Sequence, residues 1–164
     1  MRTVNPESPF SLHGGEMDDR GAPFAGSAGP GAVLGTVLLV DDNHDAADGL
    51  AMLLRAWGAR VRVVHDGASA LRALEECRPD AVVLDLGMPG MDGYELARRV
   101  RASPGHAGIV LVAVSGWGRA QHRYRSEAAG IDHHLVKPAD AGLLRELLRR
   151  AHAGRAASPS PQDR

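Results

Sequence analysis

Along the chain, short unbroken apolar runs alternate with stretches whose apolar positions recur every three or four residues. The first run, Thr36-Val-Leu-Leu-Val40, stops abruptly at Asp41-Asp42, as does a strand buried on both faces of a parallel sheet. A helix is predicted next, with Leu50, Leu53, Leu54 and Trp57 on its apolar face and Gly58 as its stop. A second strand, Arg60-Val-Arg-Val-Val64, precedes a helix from Gly67 to about Arg78 that carries Ala70, Leu71 and Leu74. Ala81-Val-Val-Leu84 forms the third strand, and a glycine-rich stretch from Gly87 to Gly93 leads into a helix from Tyr94 to Arg101. The fourth strand runs from Ile109 to Val114, and a helix follows from Arg119 to Ala129, before Gly130. A short strand around His134-Leu-Val136 and an amphipathic helix from Leu143 to Ala151 complete the series. Such alternation builds βαβ units with right-handed crossovers. The predicted fold class is α/β, a three-layer doubly wound parallel five-stranded sheet.

Outside this pattern the composition changes. Residues 1–35 are rich in Gly, Pro and Ser and have no sustained apolar period. Such a segment buries too little surface to offset its ordering entropy, which predicts a disordered leader, with a docking peptide as the alternative. Residues 153–164, with their Ser-Pro-Ser-Pro run, predict a disordered tail, leaving one domain over 36–152. Both phenylalanines, Phe10 and Phe24, lie in the leader, so the domain must be packed with aliphatic side chains. A net charge of -1 gives no global pull toward nucleic acid or an anionic membrane. Cys77 is the only cysteine, which excludes an intramolecular disulfide. No apolar run approaches the roughly 20 residues of a membrane span, and no secretory signal opens the chain. A cytoplasmic protein is expected.

Polar residues interrupt the pattern at the carboxyl ends of the strands, where open parallel sheets bind their ligands. Strand one ends in Asp41-Asp42, strand three in Asp85, strand four in Ser115-Gly116 and strand five in Lys137-Pro138. If strands one and three are neighbours, their ends lie about 4.8 Å apart, and three carboxylates share one mouth. Each ionised carboxylate raises the pKa of the others. A hard cation with oxygen ligands relieves that repulsion, and Mg²⁺ suits one or two carboxylates with waters and phosphate oxygens. Beside the metal, a carboxylate can approach an anionic phosphoryl donor as a nucleophile. The Ser115 hydroxyl and the Lys137 ammonium suit phosphoryl oxygens. Lys137 is the chain's single lysine among many arginines, a flexible point charge where arginine would bring a planar fork. Taken singly, each residue has a plainer reading: helix capping for Asp41, Asp42 or Asn43, a turn for Asp85, solvated surface for Lys137.

Four segments together resemble the receiver domain of two-component response regulators. They are Val37-Leu-Leu-Val-Asp-Asp-Asn43, Val82-Val-Leu-Asp-Leu-Gly-Met-Pro-Gly-Met-Asp-Gly-Tyr94, Val112-Ala-Val-Ser-Gly116 and Leu135-Val-Lys-Pro138. The resemblance covers about residues 36–152 and implies the flavodoxin-like strand order 2-1-3-4-5. It implies Asp85 as phosphoacceptor and a Mg²⁺ site formed by Asp41, Asp42, Asp85 and the Gly87 carbonyl, with Asp41 acting through water. Ser115 and Lys137 become the phosphate-binding pair, with a cis proline after the lysine. The implied donor is a histidine kinase or histidine phosphotransfer protein. Output is expected through a protein contact on the face of helix four, strand five and helix five.

Two positions depart from the family pattern. Gly87 has no side chain to shield an acyl phosphate, and Trp117, two beyond Ser115, is placed to do so instead. His134 stands where the family often has a rotating Phe or Tyr; its plainer reading is a tolerated strand residue. The neighbouring His133 should face the other side of the sheet, which argues against a joint metal site. Arg98-Arg99 and Arg149-Arg150 read as solvated helix faces. No output domain is expected after the last helix, so the leading reading is a single-domain phosphorylation switch or relay, not a turnover enzyme. The alternatives are a phosphorylation-independent binding module and an aspartyl-phosphate phosphohydrolase. The latter wants a carboxylate two residues beyond its nucleophile, where this chain has Gly87. Trp117→Ala is expected to change the autodephosphorylation rate, and an unchanged rate removes Trp117 from the account.

Overall fold

The computed structural model describes residues 33–116 and 120–158. Residues 1–32 and 159–164, which hold most of the expected leader and part of the tail, lie outside the described residues, as does Trp117. Five strands, β1 (Thr36–Val40), β2 (Arg60–Val64), β3 (Ala81–Asp85), β4 (Val110–Ser115) and β5 (His133–Val136), alternate with five helices. The helices are α1 (His44–Ala56), α2 (Gly67–Glu76), α3 (Gly93–Ala102), α4 (Ala120–Ala128) and α5 (Ala141–Ala156). The strands pair in parallel in the order β2-β1-β3-β4-β5. Fold class and strand order are as expected.

Two aliphatic layers cover the sheet. Alternate residues of the central strands, Val37 and Leu39 on one side and Leu38 and Val40 on the other, enter separate cores. One core is closed by α1 and α5, the other by α2 and α3 with Ala129 and Ile131 after α4. All five residues of β1 are buried, whereas the edge strands β2 and β5 are only partly so. Tyr94 is the one aromatic side chain among the buried hydrophobic residues described.

Both α1 and α4 end in a Schellman turn around a left-handed glycine. Gly58 (φ 89°) and Gly130 (φ 83°) occupy those positions, with Ala59 N donating to Leu54 O and Ile131 N to Ser126 O. At the other ends, Asn43, Asp66, Asp92 and Asp140 cap α1, α2, α3 and α5 with their side chains. The caps matter to the site, because they separate structural Asx residues from those left to converge.

Three expectations need correction. On α1, Leu54 is buried and Leu50 and Trp57 pack against the core as expected, but Leu53 is 40% exposed, and Ala47 and Ala51 complete the buried face. Helix α5 runs to Ala156, five residues beyond the expected end and into the expected tail. Its last turn is held by Arg155, which donates to Pro79 O (2.7 Å), and by His152 Nδ1, 3.2 Å from Asp80 Oδ2, ties that local composition does not display. Third, the domain begins before Thr36. Leu34 is buried in the α1/α5 core, and Gly35 (φ 66°) has no room for a Cβ against Asp80 and His152. No helix among the described residues is long and apolar enough to cross a membrane. Leu34→Ala should lower unfolding free energy by about 2–5 kcal/mol in a urea titration; a loss under about 0.5 kcal/mol would place Leu34 outside the core.

Candidate functional site

Register brings the acidic residues together. Val40 pairs with Leu84 across β1 and β3, so the next residues along, Asp41 and Asp85, stand side by side at the carboxyl edge. Asp41, Asp42 and Asp85 each offer a carboxylate oxygen within 4.8 Å of the others. They differ in exposure: Asp41 is buried, Asp85 intermediate and Asp42 exposed. Asn43, the remaining polar residue of this segment, turns away to cap α1 and accepts from Ala46 N at 3.0 Å. The plainer capping reading thus holds for Asn43 alone.

The end of β1 is held in place from three directions. Asn43 N donates to Asp41 Oδ1 (2.9 Å), and Asp41 N donates to Val64 O (3.2 Å). His65 Nδ1 donates to the Asp41 carbonyl at 2.9 Å, and its ring stacks on His44 with centroids 3.6 Å apart. Lys137 reaches over from the end of β5. Its Nζ lies 3.3 Å from Asp41 Oδ2 and 3.8 Å from Asp85 Oδ1. The Lys137–Pro138 peptide is cis, as the resemblance implies. Lys137 N also donates to Ser115 O (2.8 Å), fixing the two strand ends together.

Asp85 is poised between opposing fields. Burial pushes its carboxyl above the ordinary value of 3.8, and the Asp41 and Asp42 carboxylates push the same way. The Lys137 ammonium and the Gly87 N–H, which donates to Asp85 Oδ1 at 3.4 Å, pull it back. Beside Asp85, among the described residues, a Cβ built on Gly87 would meet nothing nearer than Asp85 Oδ2 at 4.0 Å. Behind it there is no space at all. A Cβ on Gly93 would lie 2.5 Å from the Asp85 carbonyl and 2.8 Å from Leu86 Cα, so only glycine lets α3 start directly against the end of β3.

Ser115 ends β4, one residue beyond Val114, the register partner of Asp85. It is buried, and its Oγ lies 2.8 Å from His134 Nε2. His134 is therefore more than a tolerated strand residue: its half-buried imidazole sits on Ser115, while the exposed His133 lies on the other face of the strand. The same ring contacts Ser126 Oγ through Nδ1 at 3.2 Å, and Ser126 Oγ donates to His122 O at 2.8 Å. His122 Nδ1 in turn lies 3.1 Å from Tyr94 OH, and the Arg125 guanidinium sits 4.3 Å over the Tyr94 ring. Ser126, His122 and Tyr94 were not among the expected site residues. A serine inside a helix with no cap to make was the one available sign. Arg99 and Arg149-Arg150 pair with Glu95 and Glu146 on exposed helix faces, as expected.

The sequence profile of the response regulator receiver domain matches residues 37–149. The chain belongs to the response regulator receiver domain family. Among curated relatives, it is 38% identical over 117 residues to the transcriptional regulatory protein PrrA of Mycobacterium tuberculosis, covering 71% of this chain and 48% of that protein. It is also 38% identical over 130 residues to the virulence sensor protein BvgS of Bordetella pertussis, covering 76% of this chain and 10% of that protein. The chain thus spans half or less of either relative. A crystal structure of a sensor histidine kinase receiver domain from Pseudomonas aeruginosa, with magnesium coordinated in its active site cleft, is similar at 31% identity and a TM-score of 0.67. That match covers 72% of this chain and 97% of the other.

The receiver site carries a stability prediction. Asp85 binds its proton more tightly folded than unfolded, so ionising it lowers stability as pH rises from its unfolded pKa through the raised folded value. Without divalent cations, Asp85→Asn should therefore be more stable than wild type at neutral pH, and the gain should vanish below about pH 4. Urea midpoints across pH measure this; a gain that persists in acid, or none at neutral pH, contradicts the electrostatic reading.

Proposed function

We propose that the chain is a single-domain response regulator in two-component phosphorelay signalling, in which Asp85 accepts a phosphoryl group from the phosphohistidine of a histidine kinase or histidine phosphotransfer protein. The observation that carries this reading is the convergence of Asp41, Asp42 and Asp85 within 4.8 Å under the Lys137 ammonium, which lies 3.8 Å from Asp85. An all-oxygen donor set beside an open face fits Mg²⁺. Asp42, Asp85 and the Gly87 carbonyl would hold it directly, and Asp41 through water. Bound there, the ion would offset the negative charge of the carboxylates and of the incoming phosphoryl group.

In the reaction, an Asp85 oxygen bonds to phosphorus as the P–N bond of the donor breaks, and the donor imidazole leaves with its electron pair and takes up a proton. Lys137 and Ser115 hold the phosphoryl oxygens, charge and hydrogen bond being directed where negative charge gathers. The bare Gly87 leaves the donor a clear approach and supplies no acid or base for turnover of small phosphate esters. The chain in this reading catalyses only its own phosphorylation and dephosphorylation. The acyl phosphate, with charge near -2, shifts a two-state equilibrium and remodels the face of α4, β5 and α5. Exposed Tyr124, Val136 and Leu143 on that face suit a protein partner. The setting is cytoplasmic, with no direct contact to nucleic acid or membrane.

Incubation with Mg²⁺ and acetyl phosphate, read by intact mass, tests the chemistry. Wild type should gain one phosphoryl group only with the metal present; Asp85→Ala should gain none, and Lys137→Ala should react at least about tenfold more slowly, about 1.4 kcal/mol of barrier. A persistent adduct in folded Asp85→Ala contradicts the assignment.

A further inference from the structure

Hydrogen positions along the Ser115–His134–Ser126 chain follow from counting donors. The Ser126 hydroxyl has one proton, and it goes to His122 O at 2.8 Å. Toward His134 Nδ1, at 3.2 Å, Ser126 Oγ therefore accepts, and Nδ1 carries the hydrogen. In the neutral ring Nε2 is then a bare acceptor, and the partner 2.8 Å away is Ser115 Oγ, which must donate to it. Neutral is also the favoured state here: burial holds the His134 imidazole below its ordinary range, with the charges of Arg123 and His122 acting the same way.

This arrangement conflicts with the proposed role of Ser115. Phosphoryl oxygens are acceptors, so Ser115 can grip one only by donating, yet its proton is committed to His134. Three outcomes resolve the conflict. The ring can stay neutral and carry its hydrogen on Nε2, which requires the Ser126 hydroxyl to turn to Nδ1 and give up its bond to His122 O. Ser115 can abandon the imidazole, leaving a half-buried nitrogen without this bond. Alternatively, His134 can bind a proton, whereupon Nε2–H donates to Ser115 Oγ and the serine proton turns to the phosphoryl group.

We propose that His134 is a positioning residue that governs the direction of the Ser115 proton, so that phosphoryl occupancy of Asp85 is coupled to proton uptake by His134. The inference rests on the phosphoacceptor reading of Asp85. The coupling is reciprocal: the phosphoryl group favours the imidazolium, and the imidazolium favours the phosphoryl group by the same factor. The groups around the ring set its range. From α4 come His122, Arg123, Ser126 and Glu127; the segment before β5 brings Asp132, which Arg101 pairs at 2.6 Å; α5 brings only the apolar Leu143 and Leu147. Ser126 lies on α4, so the same imidazole links the phosphoryl-binding hydroxyl to the helix on the proposed output face.

The test uses the full chain with Mg²⁺ and beryllofluoride as the phosphoryl probe, and follows His134 by side-chain NMR. The free protein should show the Nδ1–H tautomer, and the probe should move the His134 titration midpoint upward. Relative to His134→Phe measured in parallel, wild-type affinity for the probe should fall about three- to tenfold from about pH 5 to about pH 8. His134→Gln, which can hydrogen-bond Ser115 but has no proton to gain, should follow His134→Phe in showing no such fall. Ser126→Ala should shift the tautomer toward Nε2–H. A His134 midpoint unmoved by bound probe, or a wild-type profile parallel to that of His134→Phe, overturns the coupling and leaves the acceptor reading intact. A wild type that binds no probe and takes no phosphoryl group from acetyl phosphate at any pH overturns both.

Discussion

Three carboxylates held within 4.8 Å of one another, with one ammonium to balance them, form the constraint around which this domain is arranged. Like charges at that spacing repel, and partial burial strengthens the repulsion by removing water. A fold assembled for stability alone would not gather Asp41, Asp42 and Asp85 at one edge. The parallel pairing of β1 with β3 imposes it, because the register that aligns Val40 with Leu84 leaves no other place for the next two side chains. What the cluster loses in stability it retains as affinity for positive charge.

The surroundings restrain that cluster rather than neutralise it. Hydrogen bonds from Asn43 N and His65 Nδ1 pin Asp41, and Lys137 spans Asp41 and Asp85 from the far strand. Gly93 lets α3 begin directly behind the Asp85 backbone, and Gly87 adds no side chain beside its carboxylate. The Asp85 carboxylate is thus positioned by backbone elements, at the end of β3 and against the start of α3. Ser115 and His134 carry the arrangement sideways into α4 through Ser126, so a change of charge at one strand end meets a hydrogen-bonded path to a helix surface.

Much of this was legible in the sequence, and the unread parts share a cause. Continuous apolar runs set against 3.6-residue periodicity gave five strands, five helices and the parallel sheet, and the polar residues at strand ends located the site. Asp66, Asp92 and Asp140 are chemically equal to Asp41 and Asp85, yet they cap helices; composition cannot separate the two kinds, whereas register and cap geometry do. Leu34 and the last turn of α5 were assigned to disordered ends because the contacts that order them reach across the fold, from Asp80 to His152 and from Arg155 to Pro79. On α1 the pattern identifies Leu50, Leu54 and Trp57 but overlooks Ala47 and Ala51 in favour of the exposed Leu53, because leucines outweigh alanines on a hydrophobicity scale. The role of His134 rests on two serines far from it in sequence, one on β4 and one on α4, which no local pattern joins.

The central claim concerns one oxygen on one residue, and borohydride reduction addresses it directly. An acyl phosphate on an aspartate is reduced to homoserine, which tandem mass spectrometry locates within a peptide. After phosphorylation from a phosphohistidine donor with Mg²⁺ present, homoserine should be found at position 85 and not at 41 or 42. Homoserine at either of those positions, or its absence from a protein that carries the phosphoryl group, would contradict Asp85 as the acceptor.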